Sequence, residues 1–580
     1  MPAFLQKILA LLMVLCNGIL GLFCPQAGLR DYHVYVSEGA SPPVVSVSGR
    51  KIQVQTDDCK FSFYTSFALK GAHIVQAERI PDCAVIYVSN RMKSEIRVRF
   101  VPEDGGRPAD QNAAAWDGDR LGPERPYMHD YSQTLTMKFF MAGVDQNNPD
   151  NSLVNLRFDE ALEKIREIDA LTLGIPKIVY LVGWSGMGLD DKYPAIDVVN
   201  PFLACPGSTD AKGDLRWLMR EARSYNTAVS LHINSTDIYK DSPDWDIYRK
   251  NGLVGTRNGN EVVTGSWNGR NAYHIVYKNV WESGFYKKWG DDLLAMLPEL
   301  REAGTIHSDA FGCRAGDQAT IEQEWAARRQ MIRYWRDCGL DLTVECMVSG
   351  QFGQGWEAPN GNSTAPTGLV GLVPYAWHLW QDAQLWHSRP AALLAGGGAA
   401  HTERFDWTDL NRGDDAISFL YGRSMQGEDL IGRTTDWDKF IAQFCTTTLL
   451  YTYQNRFANV SIHGQGDERV LVKEGGLVAR YSDRTLIKAG VLLRQSDDVF
   501  APASWLGYPA VMAYSKEGYD DRAWTFLPEW DGIHMADIYA VTTDGPQLIE
   551  GGITVSPLRA IDLTIAPGQA ILIVPAGHIF

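Results

Sequence analysis

The chain has 580 residues, which is too long for a single core and predicts roughly two to four domains. Its formal net charge is −16, and the sequence has no sustained run of Lys and Arg. Because phosphate binding needs clustered cations, this composition argues against a nucleic-acid partner.

The first 27 residues predict an export signal. Lys7 precedes an apolar run over residues 8–16, a second apolar patch covers residues 18–23, and residues 25–27 offer a cleavage site. The apolar region is long enough that an uncleaved membrane anchor is the alternative. We therefore expect a secreted, periplasmic or cell-surface protein, with no membrane contact beyond this signal peptide or anchor.

The nine cysteines predict neither a disulfide framework nor a metal site, because they show no CxxC or His-spaced pattern. Cys59 and Cys83 lie in the same β-rich region and are candidates for a disulfide after export.

Residues 31–150 predict an N-terminal antiparallel β-sandwich followed by a linker. Short stretches alternate apolar and polar residues up to about residue 101, with Gly, Pro, Asn and Asp between them. From residue 102 the composition becomes that of an irregular linker, in which residues 135–142 are one candidate strand.

Helices and strands alternate from about residue 153, which predicts a parallel sheet. The predicted helices cover residues 159–168, 215–224, 285–302 and 320–338, and the strands cover residues 178–184, 228–234, 305–309 and 342–345. Four cycles favour a central (β/α)8 TIM-like barrel over residues 151–463, rather than an open sheet. Residues 391–394 and 461–463 are candidates for later barrel strands.

The final part of the chain, residues 464–580, predicts a C-terminal antiparallel β-sandwich. Its predicted strands cover residues 470–472, 477–481, 486–492, 536–541 and 570–574. The expected fold class is thus multidomain, with a central α/β barrel flanked by two all-β domains.

Two predicted barrel strands each end on a carboxylate, Asp309 and Glu345. One predicted helix separates them, so the strands should be parallel and the two acids should lie on the same edge of the sheet. Paired carboxylates at that edge suit a retaining glycosidase, in which one attacks and the other handles the proton. The alternative is that both are ordinary acids at helix entries.

Other strand ends and loops predict further pocket residues, because barrel enzymes bind substrate at the C-terminal ends of their strands. These candidates are polar, acidic or aromatic, as a carbohydrate pocket requires, and they are Trp184, Asp190, Tyr193, His232, Asn234 and Trp267. No Ser lies in a nucleophile-elbow motif, and no Gly-rich loop matches a P-loop.

Residues 188–194 (GLDDKYP) and 231–239 (LHINSTDIY) resemble two segments of glycoside hydrolase family 101, the endo-α-N-acetylgalactosaminidases. The order of Asp309 and Glu345 matches that family's nucleophile and acid/base. The shorter α-N-acetylgalactosaminidases of family 129 are similar in the same places. The resemblance covers residues 178–350.

The resemblance implies that Asp309 is the nucleophile, Glu345 the acid/base and Asp190 a ligand of sugar hydroxyls, with Trp267 stacking on the sugar. Leu189 and Tyr193 replace two His of the family pattern, and the Glu-Trp-Gly expected after Glu345 is absent. These departures leave the exact sugar open.

Three other acids are candidates for lesser roles. Asp317 fits a cap or turn residue, and Glu357 fits a solvated loop. Asp406 lies in a loop that suits a sugar or a structural calcium ion. No cofactor is required by the expected chemistry.

The hypothesis from the sequence is a retaining α-glycosidase acting on α-linked N-acetylgalactosamine of O-glycans or glycopeptides. A retaining α-galactosidase or α-glucosidase would use the same two carboxylates. A non-catalytic carbohydrate-binding surface protein is the alternative from another class.

Overall fold

The computed structural model describes residues 30–36, 44–48, 51–55, 60–64, 73–80, 83–89, 95–102, 128–130, 133–267, 269–309, 311, 313–344, 419–420, 422, 425–426, 431–457, 459–463 and 466–578. The chain divides into two compact units, residues 1–114 and 115–580. The predicted signal peptide, Cys59 and the candidate strand at residues 391–394 lie outside the described residues. No helix in the described ranges is long and apolar enough to cross a membrane.

The first unit is built from strands, as the sequence predicts. They are β1 Arg30–Val36, β2 Val44–Ser48, β3 Lys51–Gln55, β4 Lys60–Tyr64, β5 His73–Ile80, β6 Cys83–Ser89 and β7 Glu95–Pro102. One sheet has the order β1-β7-β6-β5 and the other β2-β3-β4. The prediction of an all-antiparallel arrangement is wrong for β1 and β7, which pair in parallel. No hairpin joins these two strands, so their direction is not fixed by a tight turn.

The second unit begins with alternating helices and strands. In chain order these are β8 Leu135–Phe140, β9 Ala142–Val144, β10 Ser152–Val154, α1 Phe158–Leu171, β11 Lys177–Val182, α2 Ala211–Glu221, β12 Thr227–Ile233, β13 Asp237–Tyr239, α3 Trp245–Lys250, β14 Thr256–Arg257, β15 Asn260–Glu261, β16 Val263–Trp267, β17 Arg270–His274, α4 Tyr277–Glu282, α5 Phe285–Met296, α6 Leu300–Ala303, β18 Thr305–Ser308, α7 Ile321–Asp337, β19 Asp341–Val344, β20 Met425–Gln426, α8 Trp437–Gln443 and α9 Leu449–Gln454.

Six of these strands form one parallel sheet, in the order β19-β18-β12-β11-β8-β20. The sequence predicts four of them as strands of a parallel sheet and β8 as a candidate strand in the linker. The parallel arrangement of the strands before Asp309 and Glu345 is confirmed, and these two strands are neighbours. Strand β8 precedes residue 151, where the sequence places the start of the domain. It nevertheless belongs to this sheet, because it is largely buried and pairs in parallel with β11. The predicted helix over residues 285–302 is two helices, α5 and α6, interrupted at Pro298.

The parallel sheet has one apolar and one polar face. Successive residues point to opposite faces, so Val229 and Leu231 of β12 share a face while Ser230 and His232 share the other. On the polar face, Tyr180 of β11 hydrogen-bonds Thr305 of β18 at 2.6 Å and Thr343 of β19 at 3.1 Å. These contacts pass over β12, so the sheet curves around its polar face.

The C-terminal part is antiparallel throughout. Its strands are β21 Asn459–His463, β22 Val470–Lys473, β23 Leu477–Arg480, β24 Thr485–Lys488, β25 Val491–Gln495, β26 Asp498–Pro502, β27 Val511–Tyr514, β28 Tyr519–Thr525, β29 Met535–Thr542, β30 Gly545–Thr554, β31 Ala560–Ile565 and β32 Ala570–Pro575. Ten strands form one sheet and β28 pairs with β31. A buried cluster that includes Phe500, Trp524, Phe526 and Trp530 fills the core between these layers.

Two strand predictions in this region are wrong. The candidate barrel strand at residues 461–463 is part of β21, which pairs antiparallel with β22 and so belongs to the C-terminal sheet. The single strand predicted over residues 486–492 is the hairpin β24–β25. Ala489 and Gly490 turn it with φ of 49° and 86°, a left-handed pair that suits a two-residue hairpin turn.

Candidate active site

Asp309 follows β18 at the C-terminal edge of the parallel sheet. Its backbone N–H donates to the carbonyl of Ile233 at 2.7 Å, which fixes it beside the end of β12. Its carboxylate Oδ2 accepts a hydrogen bond from Asn234 Nδ2 at 3.2 Å and lies 3.6 Å from His232 Nε2. The side chain is 22% exposed, whereas that of His232 is 3% exposed. The structure thus brings together three residues that the sequence predicts for one pocket.

Asn234 is held rigidly by its own turn. Its Oδ1 accepts the backbone N–H groups of Thr236 at 2.9 Å and Asp237 at 3.1 Å. The second hydrogen of its amide goes to Asp237 Oδ2 at 3.2 Å. Asn234 therefore presents its amide to Asp309 in an orientation that the backbone fixes.

Asp237 is a site residue that the sequence analysis did not single out. Its Oδ1 accepts the hydroxyl of Thr264 at 2.5 Å, and Oδ2 accepts the Asn234 amide. Burial raises the pKa of Asp237, and the hydrogen bonds from Thr264 and Asn234 oppose that rise. The result is a chain of hydrogen bonds from Thr264 through Asp237 and Asn234 to Asp309.

Asp190 lies in a loop whose backbone conformation is unusual. Its φ is 60°, in the left-handed region where L-residues are uncommon. Arg270 Nη2 donates to the Asp190 carbonyl at 2.6 Å, and Arg270 Nη1 lies 3.4 Å from the buried carboxylate of Asp191. Arg270 and Asp191, neither predicted from the sequence, therefore hold this loop against the β16–β17 hairpin.

Tyr193 and Tyr239 bring the two acidic loops into one site. Burial raises the pKa of Tyr193 well above its ordinary value, and the charges of Asp190 and Asp309 add to that rise. The same two charges act on Tyr239, whose pKa is also raised mainly by burial. Both phenols therefore stay neutral and lie near both Asp190 and Asp309.

Two predicted tryptophans differ in accessibility. Trp184 is fully buried, and its indole N–H donates to the carbonyl of His232 at 2.9 Å. It therefore positions the end of β12, and its contact with a substrate stays a prediction. Trp267 is 52% exposed at the end of β16, and in the hairpin it pairs with Arg270. Its ring is accessible for stacking on a ligand.

Glu345, Glu357 and Asp406 lie outside the described residues. The register of β18 and β19 pairs Ser308 with Val344, so the residues just before Asp309 and Glu345 are direct neighbours.

Asp317 has the structural role that the sequence favours. Its carboxylate accepts the N–H groups of Asn258 at 2.9 Å and Gly259 at 2.8 Å in the β14–β15 turn. These bonds, together with one from the hydroxyl of Thr256, hold the pKa of Asp317 below its ordinary value.

Acidic, imidazole and thiol side chains in the described ranges form no group of three or more that could hold a metal ion.

No protein-family model matches the chain, and no curated protein matches it. Among solved structures, the ligand-free α-N-acetylgalactosaminidase NagBb from Bifidobacterium bifidum matches at 13% identity and a TM-score of 0.41, over 66% of this chain and 60% of that one. The α-amylase from Geobacillus thermoleovorans, complexed with acarbose, matches at 11% identity and a TM-score of 0.35, over 77% of this chain and 98% of that one. A family 36 α-galactosidase from Geobacillus stearothermophilus matches at 12% identity and a TM-score of 0.33, over 78% and 56% of the two chains.

These are distant likenesses. The chain spans about 60% of the length of the NagBb structure that it matches.

Proposed function

We propose that the protein is a retaining α-glycoside hydrolase in which Asp309 is the nucleophile and Glu345 the acid/base. In this proposal the curved parallel sheet belongs to a (β/α)8 barrel, and the protein is exported to the periplasm, the cell surface or the medium. The substrate is α-linked N-acetylgalactosamine, or a related sugar, on an O-glycan or glycopeptide.

The position of the Asp309 carboxylate carries the proposal. It lies at the C-terminal edge of a parallel sheet, where α/β enzymes bind ligands, and it is partly exposed. Asn234 and His232 both approach Oδ2, so the carboxylate is held in one orientation beside the end of β12. A carboxylate that is held in place and is partly exposed is suited to act as a nucleophile.

The reaction proceeds in two displacements. Ionised Asp309 forms a bond to the anomeric carbon while the bond to the leaving oxygen breaks, and Glu345 gives its proton to that oxygen. Glu345 then takes a proton from water, which attacks the anomeric carbon and releases Asp309. The sugar leaves with the configuration that it had in the substrate.

The surrounding residues supply binding rather than bond chemistry. Tyr193 and Tyr239 are fully buried and neutral, so they shape the site near Asp190 and Asp309 without adding charge, and a contact of Tyr193 with the sugar stays a prediction. Asp190 is the candidate ligand for a pair of sugar hydroxyls, and the exposed ring of Trp267 is the candidate stacking platform. Aromatic and acidic side chains of this kind suit a neutral sugar.

The second candidate is a retaining α-galactosidase or α-glucosidase, because the two carboxylates would serve any α-linked hexose equally. Tyr193 supports this second candidate, because it replaces a His that contacts the sugar in the families that the sequence resembles, and such a replacement can change which sugar is bound. A carbohydrate-binding surface protein without catalysis is the third candidate.

A panel of nitrophenyl α-glycosides tests these candidates. Turnover of the N-acetylgalactosaminide above the galactoside and glucoside supports the first, and the reverse order supports the second. Asp309→Asn should lower kcat by at least about 1,000-fold on whichever substrate is cleaved, because the nucleophile is lost. Asp292→Asn, a matched change of an exposed helical carboxylate, should leave kcat unchanged. Normal turnover by Asp309→Asn on every substrate contradicts the assignment.

A further inference from the structure

A cavity of about 660 Å³ lies between the end of α9 and the C-terminal sheet. Its floor is apolar and comes from Leu493, Phe500, Val511, Leu527 and Trp530, all of them buried. The volume falls within the range of roughly 300–1,000 Å³ that is usual for small-molecule sites. The cavity is therefore large enough for one or two sugar rings.

The rim of this cavity is polar. Arg456 and Glu529 are exposed there. Burial raises the pKa of the neighbouring Tyr453, the negative charge of Glu529 adds to that rise, and the positive charge of Arg456 opposes it. Both charges therefore lie close to one phenol. Ser504 also lines the cavity, and its buried hydroxyl makes no hydrogen bond to another described residue. Because that hydroxyl is buried, the polar groups available to a ligand in this cavity are the exposed side chains of Arg456 and Glu529.

The cavity lies at the opposite edge of the parallel sheet from Asp309. Gln133, just before β8, donates to the carbonyl of Thr452 in α9 at 2.8 Å. Trp505, next to the cavity residue Ser504, donates to the carbonyl of Leu173, which precedes β11, at 3.1 Å. Both bonds join this region to the N-terminal ends of the strands, whereas Asp309 follows the C-terminal end of β18.

We propose that this cavity is a second, non-catalytic carbohydrate-binding site. Tyr508 also lines the cavity. A sugar ring offers an apolar face to Tyr508 and to the apolar floor, and its hydroxyls both donate and accept hydrogen bonds. Glu529 can accept from those hydroxyls, and Arg456 can donate to them. Because the two rim charges are opposite, the site suits a neutral ligand better than an ion. Its distance from Asp309 makes it a site that holds glycan without cleaving it.

Fluorine NMR of the full chain labelled with fluorotryptophan tests the proposal without relying on turnover. Trp530→Phe assigns the resonance of the cavity, and Trp267→Phe assigns a resonance beside Asp309. Titration with N-acetylgalactosamine, galactose and glucose should shift the Trp530 resonance with at least one sugar, whatever happens at Trp267. A shift at Trp267 alone overturns this proposal and leaves the proposed function standing. A shift at Trp530 alone supports this proposal and argues against Trp267 as a stacking residue, while the proposed chemistry at Asp309 is tested separately by turnover.

Matched variants separate binding in the cavity from a general effect on the fold. Glu529→Gln and Tyr508→Ala should each weaken the affinity seen at Trp530 by about tenfold, since each removes one ligand contact. Glu550→Gln changes an exposed carboxylate elsewhere in the same sheet and should leave that affinity unchanged. Equal affinity in all three variants contradicts the proposal. A response of Trp530 to benzyl alcohol with none to any sugar also contradicts it, and assigns the cavity to apolar ligands.

Discussion

Replacing Asn234 with Ala removes the amide that joins Asp309 to the protein interior. In the structure that amide donates to Asp309 Oδ2 and to Asp237 Oδ2, each at 3.2 Å. Hydrogen bonds to charged groups contribute about 1.5–3 kcal/mol, and the length of these two places them in the lower part of that range. A loss of about 1.5–2 kcal/mol at Asp309 corresponds to a fall in kcat/KM of roughly 10- to 30-fold.

The same substitution should also change the pH dependence. The Asn234 amide stabilises ionised Asp309, so its loss disfavours the form that attacks. The acid limb of kcat/KM should therefore move to higher pH. Initial rates on a nitrophenyl α-glycoside across the acidic and neutral range measure both effects.

Thr264→Val is the matched control for Asn234→Ala. It removes the other hydrogen bond to Asp237, at 2.5 Å, and leaves the bond from Asn234 to Asp309 intact. Both variants should lower thermal stability, because both take a partner from a buried carboxyl. Only Asn234→Ala should move the acid limb. Equal losses of kcat/KM with unchanged pH profiles in both variants would refute the positioning role of Asn234.

Three further substitutions test other groups. The pKa of Asp237 is raised, so the folded state favours the protonated carboxyl. The contribution of that carboxyl to the free energy of unfolding is therefore present at low pH and is lost as the pH rises through the raised pKa. The melting temperature of Asp237→Asn, relative to wild type, should therefore improve from acidic to neutral pH, and a constant difference would contradict this. Burial lowers the pKa of Lys177 to about 8, and the charge of Asp169 opposes that fall. Between about pH 8 and the ordinary pKa of Lys the unfolded chain binds more protons than the folded one, so the stability of the wild type should rise with pH there. Denaturant melts of Lys177→Met should lack that rise. Trp267→Ala should raise KM by about tenfold with little change in kcat, as expected for lost stacking, and steady-state kinetics showing an unchanged KM would exclude the contact.

The strands around Asp309 could be predicted because their sequences are short apolar runs between helices. Strand β18 and residues 341–343 of β19 are buried, and the ends of both strands fall within a residue of the predicted ones. The predicted start of the helix at residue 320 fits as well, because Thr320 and Gln323 exchange hydrogen bonds at 2.9 and 3.3 Å and so form a capping box. Local pattern is sufficient for such elements because burial and capping act within a few residues.

Pairing between distant segments could not be predicted in the same way. Residues 461–463 form a strand as expected, but only tertiary packing decides that β21 joins the C-terminal sheet instead of the parallel one. Arg270 was not identified because its partners, Asp191 and the Asp190 carbonyl, are about 80 residues away in sequence. Asp237 had a local signal, since it follows Asn234 by three residues and closes the turn that Asn234 begins.

The most direct test of the account is to trap the covalent intermediate. A fluorinated α-glycosyl substrate with a good leaving group should label the wild-type protein, and peptide mass spectrometry should place the sugar on Asp309. The label should be absent from Asp309→Asn and retained, with slower turnover, by Asn234→Ala. A label on another residue, or an unlabelled protein that releases sugar of inverted configuration, would contradict the assignment of Asp309 as the nucleophile.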